Sequence, residues 1–354
     1  MRISLILLSF IVLTSCGVSQ TNFIEGQVYV AKKTIGDINV DGAANEHSWN
    51  KASWTEDFID IEGNKNPVPY FKTRVKMLWN EDYFYFYAEL EEPHVWAKLT
   101  ERDAVIFYDN DFEIFIDPDG DTHNYTEFEV NAFNTVWDLL LTKPYRDNGR
   151  AINAFNIQGL KSAVKINGSI NDPSDKDQGW SVEVAIPWKV LKETTKTNVP
   201  PKHNDTWRVN FSRVQWETEI LNGEYVKKKN QTTGKNLPEH NWVWSPQRAI
   251  AMHEPEFWGR VVFHDIAAGE SSDISLDPVA EKIRQSLFQI HRQQKVFKKN
   301  NGTYMADKQK FQIGVSSPLE LIASDFVYHA ALAQSSTVVW HIDQTGKIWK
   351  EIKK

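Results

Sequence analysis

Between Tyr29 and His264, apolar and polar residues alternate with a period of two through one short segment after another. Val75, Met77 and Trp79 alternate with Arg74, Lys76 and Leu78, the turn Asn80-Glu81-Asp82 follows, and YFYFYAEL makes a second segment. Phe112, Ile114 and Ile116 alternate with Glu113 and Phe115, and Phe128 and Val130 with Glu127, Glu129 and Asn131. Trp180, Val182, Val184 and Ile186 repeat the pattern ahead of Pro187, as do Trp207, Val209 and Phe211. A period of two sends successive side chains to opposite faces of a strand. Many such strands, separated by turn-rich loops, predict a mainly β chain folded as an antiparallel β-sandwich, one face of each sheet in the core. No glycine-rich loop opens a helix and no repeating strand–helix unit is visible, so a parallel α/β sheet is not expected.

After His264 the pattern changes. Ala267-Ala268-Gly269-Glu270-Ser271-Ser272 reads as a linker, and Val279, Ile283, Leu287 and Ile290 then recur at helical spacing between Asp277 and Phe297. That spacing predicts a long amphipathic helix. Alternation returns from Phe311 to Lys350, so the chain closes on a small α+β extension. An extension of about 80 residues makes only a modest core and is expected to pack on the sandwich.

At the other end, Met1-Arg2 is a short basic start, and Ile3 to Leu13 is mostly apolar. That run is too short for a membrane-spanning helix, which needs roughly 20 residues, but it has the length of a signal-peptide core. The Leu13-Thr14-Ser15-Cys16 that ends it resembles the bacterial lipobox, whose cysteine becomes the lipidated first residue. The expected organisation is a signal peptide at 1–15, a tether at 16–34, the sandwich at 35–265 and a helix with short strands at 266–354. Cys16 is the only cysteine, so neither an internal disulfide nor a Cys-ligated metal is expected. The expected product is an exported lipoprotein, anchored by its lipid to the bacterial envelope, at the outer membrane, without spanning it. A formal charge of −7 with no concentrated basic face argues against a nucleic-acid partner. The 14 Trp, 19 Phe and 11 Tyr can fill a β-rich core and can also form platforms on which sugar rings stack.

Several segments together carry a family resemblance. Val40-Asp41-Gly42 with Glu46 and Trp49, then VKMLWNEDYFYFYAEL, DNDFEIFIDPD, EFEVN, WSVEVAIPW, TWRVNFSRV and HEPEFWGRVVF, resemble carbohydrate-binding module family 9 in the right order. The helix SLFQIHRQQKVFKKNNGTYMAD resembles the C-terminal extension of family-9-like lipoproteins in polysaccharide-degrading Bacteroidetes. The resemblance implies a β-sandwich that grips the end of a sugar chain between two tryptophans on a groove, with a structural calcium nearby. It puts Phe107 at the first clamp tryptophan, Met252, beside His253, near the second, and Glu129 at the groove arginine. A carboxylate is retained at Glu113.

The candidate substrate contacts are Phe107, Glu113, Glu129, Asn131, Trp137, Lys143, Arg213, Trp216 and Trp244. Mid-strand polar residues such as Glu113, Glu129 and Asn131 form either a water-washed face with weak cross-strand pairs or the floor of a sugar groove. The tryptophans stand in or beside loops, where binding residues concentrate. Arginine forks match carboxylates bidentately, so the expected ligand is an acidic oligosaccharide, uronate-containing or sulfated, met during polysaccharide degradation. If the groove does chemistry, His123, Tyr145, Arg146 and His253 could serve elimination across C4–C5 of a uronic acid at the non-reducing end, as in a dehydratase or lyase. Asp117, Asp119 and Asp121 are candidate calcium ligands, since calcium takes six to eight oxygens. The same Asp-Pro-Asp-Gly-Asp also suits a tight turn between strands, and both readings stand.

Overall fold

The computed structural model describes residues 26–353. Cys16, the expected lipid-bearing residue, lies outside them. The strands before the long helix are β1 (Val28–Lys33), β2 (Ile59–Asp60), β3 (Thr73–Trp79), β4 (Tyr83–Glu91), β5 (Asp111–Asp117), β6 (Tyr125–Asn131), β7 (Val136–Leu141) and β8 (Ala151–Ile152). They continue as β9 (Lys161–Asn167), β10 (Gly179–Pro187), β11 (Thr206–Gln215), the hairpin β12 (Thr218–Leu221) and β13 (Glu224–Lys227), β14 (His240–Val243) and β15 (Gly259–Ala267). Two short helices, α1 (His47–Lys51) and α2 (Trp188–Leu191), interrupt them.

All but the hairpin join one sheet of 13 strands, in the order β8-β7-β6-β5-β11-β15-β1-β3-β4-β10-β9, with β14 added on β11 and β2 on β14. The sheet folds over on itself as a β-sandwich. Phe112, Ile114, Phe128, Val209 and Phe211 from one layer meet Met77, Phe84, Phe86, Val182 and Val184 from the other in a single core. The Phe86 and Phe211 rings, one from each layer, are 5.8 Å apart. These are the apolar members of the alternating segments, so the inner face follows directly from the period of two. The sheet is mixed rather than wholly antiparallel, because β1 runs parallel to both β15 and β3. The tether expected at 16–34 therefore includes a strand near the middle of the sheet. β1 buries only Tyr29 and Ala31 as its alternating pair, too short a pattern to stand out.

The outer faces of the sandwich, expected to be either water-washed or a groove floor, are partly covered by other chain. Over β3, β4 and β10 the chain around 38–54 forms a roof in which Trp49 packs with Leu78, Tyr85, Tyr87 and Ala185. Glu183, on the outer face of β10, is fully buried beneath it. Its carboxylate accepts the Trp49 indole N–H at 2.8 Å and the backbone N–H groups of Asp41 and Gly42 at 2.9 and 3.1 Å. Burial pushes the carboxyl up to about 7 despite these three donors. Gly42 sits at φ +86°, where a Cβ would lie 2.9 Å from the Lys165 nitrogen, so this turn admits no side chain. The Asp-Gly-…-Trp opening and the WSVEV strand are thus two halves of one buried hydrogen-bonded joint.

Beyond the sandwich, α3 (Pro278–Asn301) starts with Asp277 accepting from Val279 and Ala280 N–H at 3.0 and 2.9 Å and ends at Gly302 with φ +75°. These are the favoured start and stop chemistries of a helix. Ile283, Leu287, Phe288 and Ile290 pack on an antiparallel meander of β16 (Leu319–Ala323), β17 (Tyr328–Ala333), β18 (Val338–Asp343) and β19 (Ile348–Ile352). Val279, in phase with that face, is exposed at the first turn. The opposite side of α3 lies against the sandwich, where Glu281 pairs with Arg208 and Arg292 with Glu256.

An unsatisfied buried polar group costs about 1–3 kcal/mol, and removing the Glu183 carboxylate strands three donors at once. Glu183→Ala is expected to lower the unfolding free energy by about 2–4 kcal/mol in urea denaturation, allowing for partial relaxation. Glu183→Gln, which keeps an acceptor oxygen, should fall nearer the wild type.

Candidate functional site

The outer face of the other layer carries the unusual chemistry. Strand alternation puts Asp111, Glu113 and Phe115 on one side of β5, and Glu127 and Glu129 on the matching side of β6. In register, Glu113 lies opposite Glu129 and Phe115 opposite Glu127, while Trp137 on β7 flanks Glu129 and Ser212 on β11 flanks Glu113. Like charges placed directly opposite one another destabilise a sheet. All of these carboxylates are nevertheless buried. Burial pushes Glu113 up to about 7. Burial, and then the charge of Glu113, raises Glu127 and Glu129 well above the ordinary range.

Loops turn this row into the floor of a cavity of about 480 Å³. Phe107, Trp137 and Tyr145 stand in its walls, with Ile61, Val214, Glu239 and Asn241, and the chain from Ile250 to Glu254 closes another side. Phe107 is fixed from two directions. Its backbone N–H donates to Glu129 at 3.2 Å, and its carbonyl accepts the Trp216 indole N–H at 2.9 Å. Tyr145 is half exposed and meets the His253 ring edge to face at 4.5 Å. His253 Nδ1 lies 3.0 Å from the Tyr125 hydroxyl, and burial lowers this imidazole to about 4.

The rim is held by a buried ionic network that reaches the C-terminal extension. Arg146 forks onto Glu256 at 2.7 and 2.9 Å, donates to Asp147 at 3.2 Å and pairs with Glu254 at 3.3 Å. From α3, Arg292 donates to Glu256 at 2.9 Å and Lys295 pairs with Asp147 at 3.1 Å. His291, also on α3, spans Asp147 at 2.9 Å and the Tyr328 hydroxyl at 2.6 Å. Burial works to raise the Asp147 carboxyl, but the His291 hydrogen bond and the charges of His291, Arg146 and Lys295 hold it well below the ordinary carboxylate range.

Of the residues singled out from the sequence, the cavity gathers Phe107, Glu113, Glu129, Trp137, Tyr145, Arg146 and His253, along with Met252. Others lie elsewhere. Arg213 is fully buried and bound to Glu92, Gln215, Thr73 and the Glu91 carbonyl, so it holds strands together. Trp244 is in the main core, and Lys143 does not line the cavity. Asn131 accepts from Phe133 and Thr135 and donates to Asp109 and the Leu99 carbonyl, which makes it a turn residue. Trp216 stands behind Phe107 rather than beside it. His123 faces Thr345 of the C-terminal extension at 3.1 Å, away from the cavity. Glu127 was legible from parity with Glu129. Glu239 and Glu254 come from loops whose path no local pattern reveals.

The acid-rich turn between β5 and β6 is a closed structure. Asp117 accepts from Gly120 and Thr122 N–H at 3.1 and 2.8 Å, and Asp119 accepts from the Thr195 hydroxyl at 3.0 Å. Asp121 pairs with Lys347 at 2.7 Å, and Arg284 donates to the Gly120 carbonyl. One oxygen from each aspartate falls within 4.8 Å of the others, a spacing calcium could bridge. Turn hydrogen bonds and the Lys347 ammonium already engage these carboxylates, so no role is assigned to a metal.

The sequence model described as carbohydrate family 9 binding domain-like matches residues 40–265. None of the curated proteins matches the chain. Among solved structures, a candidate carbohydrate-binding protein from Bacteroides uniformis ATCC 8492 is 18% identical, with 68% of this chain and 100% of that one covered and a TM-score of 0.49. A carbohydrate binding module family 9 from Caldicellulosiruptor kristjanssonii, in complex with cellotriose, is 14% identical over 70% of this chain and 100% of its own, with a TM-score of 0.41. The same module in complex with glucose gives 14% identity, the same coverage of 70% and 100%, and a TM-score of 0.42.

The Asp147 brace makes a pH-dependent prediction. Removing one partner of a buried ionic network costs about 3–5 kcal/mol, so Asp147→Ala should lose about that much stability at neutral pH. A carboxyl held low in the folded state contributes stability above its unfolded value of about 3.9 and loses it as pH falls through its folded value. Chemical denaturation of both proteins should therefore show a gap that is constant at neutral pH and shrinks below about pH 4.

Proposed function

Because the chain belongs to the carbohydrate family 9 binding domain-like family, we propose that its cavity binds the end of an oligosaccharide. The observation that carries this reading is the combination of a carboxyl floor and aromatic walls in one hollow. Phe107, Trp137 and Tyr145 offer ring faces to a sugar, and Glu113, Glu127, Glu129 and Asn241 offer groups to its hydroxyls. A carboxyl raised toward neutrality both donates and accepts, which suits hydroxyl partners that do the same. The cavity lies within the usual ligand-pocket range of about 300–1,000 Å³. Lipid anchoring through Cys16 at the outer membrane and service in polysaccharide degradation belong to the same proposal, on the strength of Leu13-Thr14-Ser15-Cys16 and the helical C-terminal sequence.

The acidic character expected of the ligand loses its main support. Arg213 and Lys143 stand outside the cavity, and Arg146 is already claimed by Glu254, Glu256 and Asp147. Elimination at a uronic acid is a second reading, favoured by one observation: His253, neutral at ordinary pH, lies in the cavity between the hydroxyl of Tyr125 and the ring of Tyr145. In that reaction His253 would take the proton next to the uronate carboxylate and a tyrosine would protonate the departing oxygen.

Calorimetric titration of the full chain with a panel of oligosaccharides tests the first reading. Binding is expected with at least one member, and Trp137→Ala should weaken it about three- to tenfold, the value of one aromatic contact. Failure of every member to bind would end the proposal. With uronate-ended oligosaccharides, binding alone leaves the ultraviolet absorbance of an unsaturated uronate flat. A steady rise that vanishes in His253→Ala would replace binding with catalysis.

A further inference from the structure

The cavity is short of positive charge. Glu113, Glu127, Glu129, Glu239 and Glu254 all line it, and Asp111, at the start of β5 and outside the lining, has one oxygen within 4.8 Å of oxygens from Glu113 and Glu129. Asp111 is fully buried, and its Oδ2 has no hydrogen-bond partner. Among the described residues, no lysine, arginine or histidine is paired with Asp111, Glu113 or Glu129; the nearest approach on the floor is His253 to Glu127 at 3.9 Å. Arg146 is the cationic side chain of the lining, and its guanidinium is taken up by Glu254 at 3.3 Å, Glu256 at 2.7 Å and Asp147 at 3.2 Å. Buried carboxylates elsewhere in proteins are paired or hydrogen-bonded, because an unpaired one is costly, and this fold pairs Glu92, Glu256, Glu281 and Asp147 with cations and surrounds Glu183 with N–H donors.

The geometry points to a saccharide that brings its own cation: an amino sugar with a free ammonium group, seated over Glu113 and Glu129, with the buried Asp111 carboxylate beside them. This rests on the saccharide reading and names its substrate class. An ammonium group has three donors and no acceptor, the complement of a floor rich in carboxyl oxygens. Phe107, Trp137 and Tyr145 add ring faces that attract a cation as well as a sugar ring. A uronate would add another carboxylate to an acidic hollow, and an uncharged hexose would leave the floor as it is. The raised carboxyls of Glu113, Glu127 and Glu129 agree with this shortage.

The test titrates the full chain, in EDTA and about 0.15 M salt, with the fully deacetylated glucosamine trimer, its N-acetylated counterpart, cellotriose and a glucuronate-ended trimer. The glucosamine trimer is expected to bind about tenfold or more tighter than the other three, as a charge-assisted contact requires. That ratio should fall to within about threefold in Glu113→Gln/Glu129→Gln, which keeps the shape of the floor and removes its charge. If that double variant does not fold, Glu239→Gln on the half-buried rim should lower the same ratio. Equal or tighter binding of cellotriose or the glucuronate-ended trimer overturns the inference and leaves saccharide binding intact. Binding that appears only when calcium replaces EDTA also overturns it, because a metal ion would then supply the charge. Failure of all four to bind removes both this inference and the reading beneath it.

Discussion

The pairing of β5 with β6 is fixed on its inner side. Phe112 lies opposite Val130 and Ile114 opposite Phe128, all four in the core between the layers. A slip of one residue would turn these four outward and drive Glu113 and Glu129 into the core, so the register has no neighbour to escape to. The confrontation of two glutamates on the outer side is therefore a consequence of core packing. The cavity, its charge and its aromatic walls are all built on that enforced row.

The molecule handles buried carboxylates in three ways, and the contrast is informative. Glu183 is surrounded by N–H donors and serves as a joint between roof and sheet. Glu256 and Asp147 are neutralised by arginine, lysine and histidine side chains and lock a loop to a helix. Asp111, Glu113 and Glu129 have neither sort of partner in sufficient supply. Groups of the first two kinds are satisfied inside the protein, and the third kind is the group that the proposed ammonium sugar would satisfy. That difference, more than burial alone, separates the floor of the cavity from the scaffold.

The inner face of the sandwich was legible because a period of two states it outright, and the same parity put Glu113, Glu127 and Glu129 on one outer side. What lay over that side was not legible. The coverings come from 38–54 on one layer and from the loops around Phe107, Tyr145 and 250–254 on the other, chain whose path is set by contacts distant in sequence. For the same reason Arg213 reads as a ligand fork in the sequence, whereas it binds Glu92 and Gln215 on the face of β11 opposite to Val214, which lines the cavity. The burial of Trp244 in the core was not legible because nothing local signals that Gly259 leaves room for its ring, from which a Cβ would lie 2.3 Å away. His123 follows the acidic turn, and the turn belongs to the contact with the C-terminal extension.

The family match ends at residue 265, but the packed structure around the cavity does not. The partners of Asp147 and Glu256 arrive on α3, and the strand between β15 and β3 starts at Val28, before the match begins. A fragment cut to the borders of sequence similarity would keep every wall of the hollow and yet lose a central rib and the clamps on its lip. Where homology stops is thus a poor guide to where such a chain can be divided.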